Sequence, residues 1–238
     1  MYQTVILSLV FPYNPIMRRL AALAILFVAC GRAVPARDIH NVVVLGDSVA
    51  HGAGDEMGRG IAGALASITH AHVENLGING ARTANVLQQL KRADVRAAVK
   101  RAQLIVVSIG GNDLFGNQRE RVCALVAPRV TSWFIAARVQ RVIARVRREN
   151  PSAQIVLLGL YNPYRRTNIG AFLDQQIARW DGRIIARFAR WHSLNVIRIA
   201  DLLDTRAAIS PIDRYHPSAA GYRAIAERIA SAYTFSSP

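Results

Sequence analysis

Ser48, Asn112, Asp213 and His216 supply four groups that acyl transfer requires: a hydroxyl, an amide donor, a carboxylate and an imidazole. Asp213 and His216 stand three residues apart in PIDRYHPSAAGY. Within a turn, that spacing lets the carboxylate reach the far ring nitrogen and orient the histidine as a base. A hydroxyl beside such a base becomes a nucleophile, and donors aimed at the developing negative charge stabilise the intermediate. Ser48 lies in VVVLGDSVAHGAG, residues 42–54, and Asn112 in SIGGNDLF, residues 108–115. A further segment, NLGINGART (75–83), places two glycines in a turn where a backbone N–H can approach a ligand closely.

Several other chemistries fail on spacing. The stretch around Ser48 has neither the G-x-G-x-x-G of a dinucleotide loop nor the G-K-[ST] of a Walker loop. Ala50 stands where the nucleophile elbow G-x-S-x-G needs its second glycine. Each segment also has a plain structural reading. Asp47 or Ser48 serves as a helix N-cap, Asn112-Asp113 forms a turn, and Ser218 caps the last helix. Taken singly, the segments favour those readings; convergence of all of them favours catalysis.

Short apolar, β-branched runs at 41–45, 71–76, 104–109, 155–160 and 195–199 read as buried strands. Helical patterns lie between and after them, at 60–68, 84–99, 130–148, 172–191 and 219–230. This alternation predicts a parallel sheet with helices on both faces. In the longest helix, Ile135, Val139, Val142 and Val146 form an apolar stripe beside Arg138, Arg141, Arg145 and Arg148, and Asn150-Pro151 ends it. Open parallel sheets collect ligands at the carboxyl ends of their strands. The serine, glycine and asparagine segments all follow such ends.

The 238-residue chain is one domain plus a leader, and 52% hydrophobic residues with 19% charged exclude a disordered protein. Its net charge of +15 comes mostly from arginines spread along the helices, and no nucleic-acid-binding motif accompanies them. Met17-Arg18-Arg19, the run LAALAILFVAC and then GRAVPA follow the order of a secretory signal. The apolar run is shorter than the ~20 residues of a membrane span. Residues 1–36 are therefore expected to be an extension and leader, with 1–16 upstream of the signal proper or a misassigned start, and 37–238 the domain. Phe27-Val28-Ala29-Cys30 has the form of a lipobox, so Cys30 is a candidate lipidation site; cleavage after Ala33 or Ala36 is the other reading. Cleavage before Cys30 removes two arginines and leaves +13. Cys123, the second of two cysteines, is expected to be unpaired, and two cysteines do not make a cysteine metal site.

In chain order, Gly46-Asp47-Ser48, Asn79-Gly80-Ala81, Gly110-Gly111-Asn112-Asp113 and Asp213-Arg214-Tyr215-His216 resemble the four blocks of the SGNH hydrolases, also called GDSL lipases/acylhydrolases. The resemblance runs from about Asn41 to Ile229, and LLGLYNPY with ISPIDRYHPSAAGYRAIA is similar to the bacterial extracellular branch. It implies a flavodoxin-like three-layer α/β/α fold with a five-stranded parallel sheet. It also implies an acyl-ester hydrolase without cofactor or metal. Ser48 would be the nucleophile, His216 the general base and later acid, and Asp213 its orienter. The Ser48 N–H, the Gly80 N–H and the Asn112 amide would form the oxyanion hole, and Asp47 would support the turn. The expected partner is a small-molecule or lipid acyl ester, with peripheral or lipid-anchored membrane association and no nucleic acid. Acyl transfer to a sugar hydroxyl, or an inactive envelope-binding protein, are the alternatives on the same site. His51 departs from the family habit and is expected to alter the mouth of the site. His40, His70, His72 and His192 lack a D-x-x-H partner and are expected on the surface or in loops.

Overall fold

The computed structural model describes residues 38–115 and 128–235, with the side chains of 128–132 left aside. The expected leader with Cys30, and Cys123, lie outside the described residues. Among the described residues no helix is long and apolar enough to cross a membrane.

Five strands form one parallel sheet: β1 (Asn41–Gly46), β2 (His72–Gly77), β3 (Leu104–Ser108), β4 (Gln154–Leu158) and β5 (Leu194–Ile197). Their order is β2-β1-β3-β4-β5, the doubly wound order in which the first strand lies inside the sheet. Alternation along β1 divides the core in two. Val43 and Leu45 face one apolar cluster and Val42 and Val44 the other, and all four are buried. A strand covered on both faces must be apolar at every position, which is why VVVL has no alternation. Edge strand β2 reads HVENLG and is only half-buried.

Helices α1 (Ser48–His51) and α2 (Gly60–Thr69) follow β1; α3 (Thr83–Gln89) and α4 (Ala93–Arg101) follow β2. Then come α5 (Gly111–Phe115) and α6 (Pro128–Glu149) after β3, α7 (Gly170–Phe188) after β4, and α8 (Ala219–Ala230). Residues of α2 and α8 fill one cluster, with Leu65 and Tyr222 buried in it; those of α3, α4, α6 and α7 fill the other. The expected three-layer α/β/α fold is thus present.

The expected helix over 84–99 is two helices. Arg92 is extended (φ −68, ψ 141), and Asp94 in the first turn of α4 receives two hydrogen bonds from it. The last residue of α3, Gln89, turns its side-chain amide onto the Leu76 carbonyl. Periodicity carries no information about such a break. Asn112-Asp113, whose plain reading is a turn, lies in the short α5.

At the other end of the chain's longest helix, the expected stop is present and has a cause beyond the following proline. The Asn150 amide donates to the carbonyls of Val99 and Ala102 at 2.8 Å, while its oxygen accepts from Ala153 N at 3.0 Å. One buried side chain thereby closes α4 and opens the path into β4.

Gly110 fixes the height of α6 and α7 against the sheet. A Cβ there would stand 3.2 Å from Val139 Cγ2 and 3.3 Å from Trp180 Cζ2. Val139 and Trp180 are therefore level with the carboxyl end of β3.

Candidate active site

Ser48 occupies the first position of α1, immediately after β1 and Asp47. The turn is tight because Gly46 has φ 141, and a Cβ on it would collide with the Ser108 carbonyl on β3. Asp47 caps α1 as expected, accepting from Val49 N at 3.1 Å and from Ser108 Oγ at 3.0 Å. Burial pushes the Asp47 carboxyl up to about 7, against the opposing effect of those hydrogen bonds. At neutral pH it is therefore divided between the neutral and charged forms.

Residues 168 positions apart meet above this turn. His216 Nε2 lies 2.9 Å from Ser48 Oγ, and His216 Nδ1 lies 2.6 Å from Asp213 Oδ2. The other Asp213 oxygen accepts from Tyr215 N at 2.9 Å and His216 N at 3.0 Å. Burial raises the Asp213 carboxyl, but the hydrogen bonds from His216 and from these two amides outweigh it and leave the group below its ordinary value. An ionised carboxylate only accepts, so Nδ1 carries the hydrogen and Nε2 is left to accept the serine proton. The predicted serine, histidine and aspartate are thus brought into one hydrogen-bonded chain.

The His216 loop is shaped locally and clamped from two sides. Arg214 has φ 55, which turns the chain so that the Asp213 carboxylate faces back over residues 215 and 216. Ser210 N donates to His216 O at 2.8 Å, and Ser218 caps α8 through Gly221 N at 3.2 Å. From the loop after β4, the Tyr161 hydroxyl donates to the Tyr215 carbonyl at 2.8 Å. From the loop after α1, Gly54 packs against the His216 side chain. The Tyr215 ring meets the His216 ring edge-on at 4.9 Å and the Tyr164 ring at 5.7 Å.

The glycine and asparagine segments form a second assembly. Gly80 has φ 74 and is exposed; a Cβ built on it would meet nothing within 4 Å. The Asn112 amide donates to Ala81 O at 3.0 Å, which orients the side chain and leaves its second hydrogen for another acceptor. Beside it, Asp113 accepts from Thr83 N at 2.9 Å and Thr83 Oγ1 at 2.6 Å. Its side chain is only 2% exposed, so this bond pair is a buried strut between the two loops.

Sequence reading found the residues that meet here and missed what holds them. Asp113 was visible only as a turn former, and its partner Thr83 lies thirty residues away. Tyr161 and Gly54 bear no motif that ties them to His216. The four remaining histidines are exposed, as expected. His51 ends α1 with its Nδ1 3.3 Å from the Gly77 carbonyl, so this departure stands against the end of the edge strand. Gly77 must be glycine there, since a Cβ would collide with the His51 and Ala50 backbone. No group of three or more His, Cys, Asp or Glu that could hold a metal occurs among the described residues.

A family model, the GDSL-like lipase/acylhydrolase family, matches residues 44–224. The chain is 26% identical over 201 residues to an uncharacterized protein of Bacillus subtilis (strain 168), YpmR, covering 79% of each chain. Among solved structures it is similar to the lipase Lip_vut3 from a goat rumen metagenome, with TM-score 0.64 and 21% identity over 82% of this chain and 98% of the other. An extracellular lipase from Streptomyces rimosus has TM-score 0.63 and 20% identity, over 81% and 99%. A catalytic mutant of an acetylxylan esterase from Geobacillus stearothermophilus has TM-score 0.63 and 16% identity, over 84% and 96%. At these identities the structural likeness establishes a common fold.

Proposed function

We propose a serine-esterase mechanism for this chain, which belongs to the GDSL-like lipase/acylhydrolase family and is by that membership an ester-hydrolysing enzyme. The observation that carries the reading is the unbroken chain from Ser48 Oγ to His216 Nε2 at 2.9 Å and from His216 Nδ1 to Asp213 at 2.6 Å. As Ser48 Oγ attacks the ester carbonyl carbon, its proton passes to Nε2, and Asp213 stabilises the imidazolium. The carbonyl oxygen becomes an oxyanion that accepts from the Ser48 N–H, the Gly80 N–H and the free hydrogen of the Asn112 amide. The C–O bond then breaks, the imidazolium returns its proton to the leaving alcohol, and an acyl-serine remains. Water, losing a proton to the same nitrogen, attacks this ester and releases the acid and Ser48.

Replacing Ser48 by alanine abolishes release of p-nitrophenol from short-chain nitrophenyl esters and labelling by a fluorophosphonate probe. Full activity in that variant would sink the assignment. The substrate is an acylated lipid or glycan of the cell envelope, a reading supported by the signal-like order of residues 17–36 and by the arginine-rich surface. Mass spectrometry of the mature amino terminus tests export and reports whether Cys30 carries lipid.

A further inference from the structure

The large apolar side chains that remain exposed are not scattered. Met57 (61% exposed) lies in the loop after α1, and Ile78 follows β2 directly. Phe134 (57%) sits in the second turn of α6, Ile169 and Phe172 at the start of α7, and Ile212 (69%) next to Asp213. All of these fall in segments that follow the carboxyl ends of strands, as Ser48 does, or in the first turns of the helices entered from them. Trp133, beside Phe134, packs against Arg187 of α7 instead. Exposed apolar residues gathered on one face mark an interaction surface, whereas single ones spread over a protein mean nothing.

On the same rim the carboxylates are held by hydrogen bonds and ion pairs within the molecule. Asp55 accepts from Met57 N, Arg59 N and Gly60 N, and Glu56 from Ala219 N at the start of α8. Asp174 and Asp204 are paired with Arg165, and Asp213 with His216. Arg206 and Arg214, both exposed in the loop that brings in the triad, have no carboxylate partner among the described residues. Apolar side chains interspersed with exposed arginines that hold no carboxylate complement a surface that is apolar within and anionic outside.

We propose that this rim docks on an anionic lipid–water interface, with Met57, Phe134, Phe172 and Ile212 entering the acyl region and Arg206 and Arg214 meeting the phosphates. The proposal rests on the esterase reading in one respect: the ester then reaches Ser48 from the bound surface, without passing through water. Docking itself needs no turnover. The basic stripe of α6 is not part of the contact.

The test is cosedimentation of the full chain, in a Ser48→Ala background, with vesicles of phosphatidylglycerol or of phosphatidylcholine. The parent should bind phosphatidylglycerol vesicles more tightly, and salt should weaken that binding. Met57→Ser, Phe172→Ser and Ile212→Ser together should lower the partition coefficient at least about tenfold. Arg206→Ser with Arg214→Ser should lower it about fivefold per arginine on phosphatidylglycerol alone. Circular dichroism verifies folding of each variant, and the two sets give independent readings. Binding of both sets equal to the parent, as when the leader alone holds the chain, overturns the proposal. So does a rim-dependent dimer in sedimentation, which would assign the patch to a second copy. A chain with Ser48 intact that cleaves soluble esters but binds no vesicle refutes docking and leaves the esterase. One that binds through the rim but cleaves no ester refutes the esterase and leaves docking.

Discussion

Gly54 and His216 are in such close contact that a Cβ on Gly54 would stand 2.6 Å from the Cβ of His216. The loop leaving α1 thus fixes the position of the His216 imidazole. Gly54 also has φ 83, which a side chain tolerates poorly. In Gly54→Ala the imidazole must shift away from Ser48. A misplacement near 1 Å costs on the order of 10²-fold in rate, so kcat on nitrophenyl esters should fall by about that factor with KM little changed. Unaltered kcat would show that the His216 loop is free to move.

In the proposed mechanism, removal of the Asn112 amide leaves the oxyanion with two donors. Asn112→Ala should lose on the order of 10²–10³ in kcat, measured with a soluble ester at saturation. An unchanged kcat would remove Asn112 from the oxyanion site.

Loss of the Tyr161 hydroxyl removes a hydrogen bond from the Tyr215 carbonyl in a partly buried place. For Tyr161→Phe, urea denaturation should report about 1–3 kcal/mol less stability. The pH–rate profile should also change shape, because the loop that presents Asp213 to His216 loses its support. A purely structural role would lower stability and leave that profile as it was.

The Asp47 carboxyl is higher in the folded protein, about 7, than its ordinary 3.8. An acid raised in this way binds more protons folded than unfolded, so its contribution to stability falls as pH rises from about 4 to about 7 and is level above. Asp47→Asn keeps an oxygen acceptor for Val49 and Ser108 and removes the titration. Relative to this variant, the parent should lose roughly 2–4 kcal/mol of stability between pH 4 and 8. Parallel stability curves for the two proteins across that range would contradict the raised value.

What was legible in the sequence follows from what leaves a local mark. Strands buried on both faces leave runs such as VVVL and LIVVS, and Asp213 with His216 leaves a spacing. The meeting of Ser48 with His216 has no local mark, because it depends on β1 lying in the sheet's interior and on α8 packing against α2. The Asp113–Thr83 strut and the Tyr161 clamp were illegible for the same reason. Each is a pairing between distant residues whose types serve equally well as turn, cap or core.

The strut between Asp113 and Thr83 has a consequence for how errors spread through the site. The donors expected from the Gly80 and Asn112 loops share one buried brace, so damage to either loop is felt by both. Asn112→Ala and Asp113→Ala should therefore be far from additive in ΔΔG‡, whereas Asn112→Ala and Tyr161→Phe, which touch separate braces, should add to within about 0.5 kcal/mol. Double-mutant cycles on kcat/KM would reveal whether the machinery behaves as two independently fixed halves that meet only at the serine.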